Sequence, residues 1–293
     1  VSAVVLPIVV GVDGSEPSLR AVDWAADEAT LRGVPLRLVF ASLWERYEGE
    51  SLADDLGKPS EQVTAEDIVR TAAERARLRQ GGLRISTEVL SEEPEYALVH
   101  EGRSACALVL GSRGRSGFAE MLLGSVSLTV AAHAVCPVIV LRGSHDNRVR
   151  AGGRGRVVVG VGEKTADSAA LRFAVDEAKL RRATLDALRA WRCPAHETTD
   201  HPLLAGEPAR LHEQHAAEVL DKAVKDIPAD VDLRRRTVEG PARRVLPAAS
   251  YEADLLVVGA RRNSGHLGLQ LGRVAHAVLH HSACAVAVVP EGV

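Results

Sequence analysis

VVGVDGSEPSLRAVDWAADEATLR, residues 9–32, reappears at residues 158–181 as VVGVGEKTADSAALRFAVDEAKLR, with eleven identities in twenty-four ungapped positions. Each copy opens on an apolar, β-branched run, crosses a polar turn and enters an amphipathic segment. In the first copy residues 6–12 read as a strand buried on both faces. Pro17 is placed to open a helix at its first position, Val22, Ala25, Ala26 and Ala29 fall on one face of it, and Gly33 and Pro35 close it.

The two copies begin two long matching halves. ALVLGSRGRSGFAEMLLGSVSLTVAAHAVCPVIVL, residues 107–141, pairs with LLVVGARRNSGHLGLQLGRVAHAVLHHSACAVAVV, residues 255–289, at nearly the same offset. A period near 148 residues is far beyond the roughly 20 to 50 residues of a solenoid unit, so the repeat describes duplicated domains. At 293 residues the chain is long enough for each half to bury its own core. RGSHDNRVRAGGRGR, residues 142–156, has glycines and polar residues but no periodic apolar face, and reads as a solvated connector despite its five arginines. The expected organisation is a first domain over 1–143, a linker over 144–155 and a second domain over 156–293.

Within the first half a second strand is expected near 36–43. An exposed acidic loop, ERYEGESLADDLGKPSE (45–61), should follow, then a helix capped by Thr64 with Asp67 and running to about Gln80. Strands near 83–90, 105–110 and 137–141, with helices near 95–103 and 125–134, complete the half. This alternation specifies two tandem doubly wound, mainly parallel, five-stranded open α/β sheets flanked by helices. Ligands of such sheets bind beyond the carboxyl ends of the strands, so the residues just after each strand are the ones to inspect.

Composition narrows the function classes. Apolar residues make up 46% and charged residues 26%, which suits a folded globular chain, and the 3% of aromatic residues is too little for base-stacking platforms. A net charge of -3 gives no electrostatic reason to expect nucleic acid or an anionic membrane as partner. No apolar run is long enough to span a bilayer and the first residues lack a basic region followed by a hydrophobic stretch and cleavage site, so a cytoplasmic location is expected. Cys106, Cys136, Cys193 and Cys284 are scattered without metal or redox spacing and read as reduced and mostly buried.

The chemistry sits after the apolar run ACALVL. There the chain reads Gly111-Ser-Arg-Gly114, nine further residues, then Gly124-Ser125, with Val126 and Ser127 opening a helix. Glycines at the end of a buried strand let the backbone approach a bulky anion. At the helix start, the unpaired amides of Ser125 to Ser127 and the positive end of the dipole attract phosphate, and the Ser125 and Ser127 hydroxyls can add hydrogen bonds. Polyphosphate recognition is the inference.

Here the chain resembles the universal stress protein family, whose ATP-binding members carry G-x2-G-x9-G-[S/T]; Gly111, Gly114, Gly124 and Ser125 match it in full. The likeness also takes in the opening strand with Asp13, the CPVIVL closing strand and, by repetition, nearly the whole chain. The resemblance implies a Rossmann-like adenine-nucleotide fold with ATP as cofactor, accompanied by magnesium. It implies that Asp13 contacts the adenosine end and that the backbone near Ala41 lies against adenine. Gly111, Arg113 and Gly114 would line the ribose and phosphate path, and Gly124, Ser125 and Val126 would hold the phosphates. Apart from the resemblance, an Asp-Gly after a strand reads as a turn. The resemblance also implies a nucleotide-dependent stress-response regulator with little or no hydrolysis. Single-domain relatives commonly dimerise, so the two halves are expected to form a pseudodimer, with a homodimer of whole chains as a further option.

The second half departs from the pattern. Gly162 stands for Asp13, Arg262 for Gly114 and Arg273 for Ser125, while Gly259 and Gly272 are kept. The two arginines can recruit phosphate through their side chains, plug the cleft or pair with acids; loss of standard ATP binding is the expectation. Gly160-Val-Gly162-Glu-Lys-Thr165 imitates a dinucleotide fingerprint but has Thr where Gly or Ala is needed. His212, His215, His280 and His281 read as surface or capping residues, and Arg234 to Arg236 alternate along a strand. No Walker loop, nucleophile elbow or zinc helix is present, and Asp13 is the only carboxylate placed near the phosphate path, so catalysis is not expected beyond a weak ATPase. The competing class is an interaction or scaffold protein without nucleotide.

Overall fold

The structure is a computed structural model and describes residues 5–43, 60–112, 123–142, 155–163, 168–194, 207–261 and 271–291. Contacts divide these residues into two units, 5–142 and 155–291. Nearly all of the expected linker and most of the acidic loop lie outside the described residues; Ser60 and Glu61, expected at the end of that loop, are helical.

The first unit runs β1 (Ile8–Gly11), α1 (Glu16–Arg32), β2 (Leu36–Ala41), α2 (Ser60–Arg79), β3 (Ile85–Leu90), α3 (Pro94–Glu101), β4 (Ala107–Gly111), α4 (Ser125–His133) and β5 (Val138–Leu141). Its five strands are parallel and ordered β3-β2-β1-β4-β5. The order reverses between β1 and β4, the switch point at which such sheets open a crevice. The central strands are apolar throughout because helices cover both faces: Ile8, Val9, Val10, Leu108 and Val109 are fully buried.

The second unit repeats the plan with β6 (Arg156–Gly160), α5 (Ala169–Arg181), β7 (Thr184–Trp191), α6 (Glu207–Val224), β8 (Leu233–Glu239), α7 (Ala242–Ala249), β9 (Leu255–Arg261), α8 (Arg273–His281) and β10 (Ala285–Glu291). Its strands are parallel in the order β10-β9-β6-β7-β8.

Repeated residues keep repeated roles. Glu28 on α1 and Glu177 on α5 are buried, each bonded one turn on by Arg32 (2.6 Å) or Arg181 (2.8 Å). At the helix ends, Gly33 (φ 67°) closes α1 in the left-handed region and Arg182 (φ 52°) takes the same conformation after α5. Between neighbouring strands one ion pair is reversed in sign: Arg37 on β2 meets Glu88 on β3 at 3.5 Å, and Asp186 on β7 accepts from Arg236 on β8 at 3.0 Å.

Helix α2 begins at Ser60, so Thr64 lies a turn inside it and does not cap it. The spacing of Thr64 and Asp67 does not mark the start; Glu61 and Gln62, both good helix formers, extend the helix a turn upstream of it. Asp23 and Asp27 on α1 receive bidentate bonds from Arg75 (2.9 and 2.6 Å) and Arg79 (2.9 and 2.7 Å) on α2, clamping these two helices together.

Candidate functional site

At the switch point of the first unit, β1 gives way to the turn Asp13-Gly14-Ser15. Gly14 has φ 80°, a conformation glycine adopts without steric cost. The Asp13 Oδ1 accepts from the Ser15 amide (3.0 Å) and hydroxyl (2.6 Å), and Ser15 is the N-cap of α1. Asp13 thus serves as the turn residue, at the carboxyl end of β1 and half-exposed. Ala41 ends β2. Val39 accepts from Val12 of the β1 side and Ser42 donates to Leu90 of β3, so by the two-residue period the peptide groups of Ala41 face the β1 side, one step past that last bond.

The strand end and helix start of the glycine motif are joined directly. Gly124 donates its amide to the Ser112 carbonyl at 2.8 Å, and the buried Ser127 hydroxyl donates to the Gly111 carbonyl at 2.7 Å. That hydroxyl, expected to face a ligand, instead ties α4 to β4. A Cβ on Gly111 would lie 2.8 Å from the Pro17 carbonyl and 3.0 Å from the Ser18 nitrogen, so only glycine lets β4 end against the first turn of α1. Gly124 caps α4 with no side-chain hydrogen bond, which leaves the amides of Ser125, Val126 and Ser127 at the open positive end of the helix. The Ser125 hydroxyl reaches Glu95 Oε1 on α3 at 3.3 Å, a neighbour not evident from spacing in the chain. Arg113 and Gly114 lie outside the described residues.

In the second unit the same places are filled differently. Among the described residues nothing lies within 4 Å of where a Cβ on Gly162 would stand, so no described neighbour crowds out a carboxylate there. Gly259, the counterpart of Gly111, approaches a side chain: its Cβ would lie 2.6 Å from Glu291 Oε1. The Glu291 carboxylate accepts from the Ser168 hydroxyl (2.7 Å) and the amides of Ala169 (2.9 Å) and Ala170 (3.2 Å). The start of α5 therefore holds an anion supplied by the chain itself. Arg273, at the first position of α8, is exposed. Arg262 lies outside the described residues.

Near the ends of β6 and β7, Glu163 bonds Arg189 and, at 3.0 Å, His215 of α6. The His215 bond and then the Arg189 bond hold the Glu163 carboxyl below its ordinary range. Burial pushes the Cys136 and Cys284 thiols up to about 12, and raises Cys106 as well. Arg236 and Arg235 pair with Asp186 and Asp221 on different faces of β8. Among the described residues no three His, Cys, Asp or Glu side chains converge as a metal site, and no helix is long and apolar enough to cross a membrane.

The model of the universal stress protein family matches residues 6–142 and again 153–290. The chain is 31% identical over 304 aligned positions to universal stress protein Rv2623 of Mycobacterium tuberculosis (strain ATCC 25618 / H37Rv), covering 98% of this chain and 97% of that protein. Among solved structures it is similar to a universal stress protein from Archaeoglobus fulgidus DSM 4304, with TM-score 0.65 and 19% identity over 98% of both chains, a likeness of fold. With one family model accounting for each half in turn, the chain belongs to the universal stress protein family, in its tandem two-domain form.

Proposed function

We propose that the first unit binds ATP with magnesium and that the chain works as a nucleotide-dependent regulator of the stress response, with little or no hydrolysis. The observation that carries this is the junction of β4 and α4. Gly111 is pressed against the α1 backbone, Gly124 is bonded to Ser112, and the α4 amides open beside them without a side-chain cap. Such a helix start favours a polyanion. In this reading the phosphates lie on Gly124, Ser125 and Val126, adenine on the Ala41 backbone and the adenosine end near Asp13, with Gly111, Arg113 and Gly114 along the path between. Glu95 and the Ser125 hydroxyl are oxygen donors of the type magnesium accepts alongside phosphate. Asp13 is bonded to Ser15 and serves position more than proton transfer.

The second unit is proposed not to take nucleotide in the standard way, since Gly162 offers no carboxylate and Glu291 stands at the start of α5. The domains are taken as 1–143 and 156–293 with a linker between, forming an internal pseudodimer in the cytoplasm. Isothermal titration with ATP and magnesium tests the proposal: about one nucleotide per chain is expected. Absence of binding would move the protein to the interaction or scaffold class.

A further inference from the structure

The repeat sets Arg189 on β7 against Phe40 on β2, so the second unit carries a guanidinium where the first carries a phenyl ring. Arg189 is 7% exposed, and a charge that far from water needs strong partners. Its Nη1 donates to the Val161 carbonyl at 3.4 Å, its Nη2 donates to Glu163, and its Nε is buried without a partner. The Nε and Nη2 of an arginine share one edge, suited to two oxygens of one anion. Arg75 and Arg79 use both atoms of that edge, on Asp23 and Asp27. In Arg189 the edge is half used.

Glu163, the carboxylate in that place, sits on the turn after β6 with its side chain 63% exposed. Its other oxygen meets His215 Nε2 at 3.0 Å; since an ionised carboxylate only accepts, Nε2 carries the proton. Two donors from separate elements, β7 and α6, thus converge on a small anion that an exposed turn delivers. The deep cation and shallow anion are unequally committed: Glu163 can return to water and Arg189 cannot.

We infer that Arg189 and His215 form an oxyanion site in the second unit, for a phosphate group, with Glu163 as its displaceable internal occupant. A phosphate brings more oxygens than a carboxylate and can engage Nε together with Nη2, completing the edge. The site is built from residues of the second unit alone and the glycine motif from residues of the first, so it stands or falls independently of ATP binding there.

The test is a titration of the full chain with inorganic phosphate, followed by NMR of the His215 ring and assigned with His215→Gln. Glu163→Gln removes the competing charge at an exposed side chain. Expected is a saturable His215 shift at a phosphate concentration at least about tenfold lower than in the unsubstituted protein. In Glu163→Gln combined with Arg189→Met the saturation should vanish. Should that pair fold poorly, Arg189→Lys, which keeps charge without the fork, should weaken binding by about tenfold. AMP in place of phosphate separates the sources: equal affinity marks free phosphate, tighter binding a phosphate carried on a nucleoside. Equal phosphate affinity with and without Glu163, or saturation retained once Arg189 is Met, would overturn the inference.

Discussion

Substituting Gly111→Ala tests whether the junction of β4 and α1 is as tight as the glycine motif requires. The added Cβ would stand 2.8 Å from the carbonyl carbon and oxygen of Pro17 and 3.0 Å from the Ser18 nitrogen. Comfortable carbon contacts begin near about 3.5 Å, so a gap of roughly 0.7 Å must open between main-chain segments, neither of them a flexible side-chain tip. Ser18 is buried and its amide and hydroxyl are both bonded to Ser15, so α1 yields only by loosening its cap. Overpacking of this kind costs about 1–3 kcal/mol. The lower entropy of the unfolded alanine chain offsets about 0.5–1 kcal/mol, which leaves a net loss centred on about 1 kcal/mol and reaching about 2.5 kcal/mol where the backbone yields least. Gly162→Ala is the control, with nothing among the described residues within 4 Å of its Cβ. It should be neutral or stabilise by about 0.5 kcal/mol. Urea unfolding measures both, with a lower midpoint and unchanged slope expected for Gly111→Ala in the transition of the first unit. Because Ser112 next door receives the Gly124 amide, MgATP affinity should also fall by at least about tenfold. Equal stability of Gly111→Ala and Gly162→Ala would refute the reasoning.

Other consequences follow from burial, backbone and charge. Cys136 and Cys284, with thiols pushed up to about 12, stay protonated at about pH 8; a thiol reagent should leave both unmodified until the protein unfolds, as read by peptide mass. Arg182 occupies the left-handed region that its counterpart Gly33 fills, so Arg182→Gly should stabilise the second unit by up to about 1 kcal/mol once the freer unfolded glycine chain is counted, read as a higher urea midpoint. Glu163 is depressed by His215 and Arg189. Its contribution to stability is therefore present above the ordinary value of 4.5 and is lost as pH falls through the lower folded value. Glu163→Gln should flatten that part of the acid limb in urea titrations, and an unchanged slope there would contradict the pairing.

The fold was legible because its signals are local and doubled. Strand, turn and helix from Val9 to Arg32 recur at Val158 to Arg181, and apolar runs buried on both faces mark parallel strands without further help. The glycine motif was legible too, since Gly111 and Gly124 lie at element boundaries that periodicity finds. What stayed hidden depends on pairs far apart in the chain. Ser127 bonds Gly111 over 16 positions, Ser125 meets Glu95 from another helix, and Glu291 reaches Ser168 over 123 positions. No spacing rule encodes such meetings. Arg189 was the exception: with Asp186 it is one of two charged residues in the strand segment Leu185-Asp-Ala-Leu-Arg-Ala190, and it stands at a position held by Phe40 in the first half, a signal that alignment of the repeat alone could expose.

The most direct test of the central claim is calorimetric titration of the full chain with MgATP, alongside Gly124→Arg, which places a cation-bearing side chain at the cap of α4. The account predicts saturation at about one ATP per chain, abolished in Gly124→Arg. Two ATP per chain, or binding that survives Gly124→Arg, would contradict it by placing nucleotide outside the junction of β4 and α4.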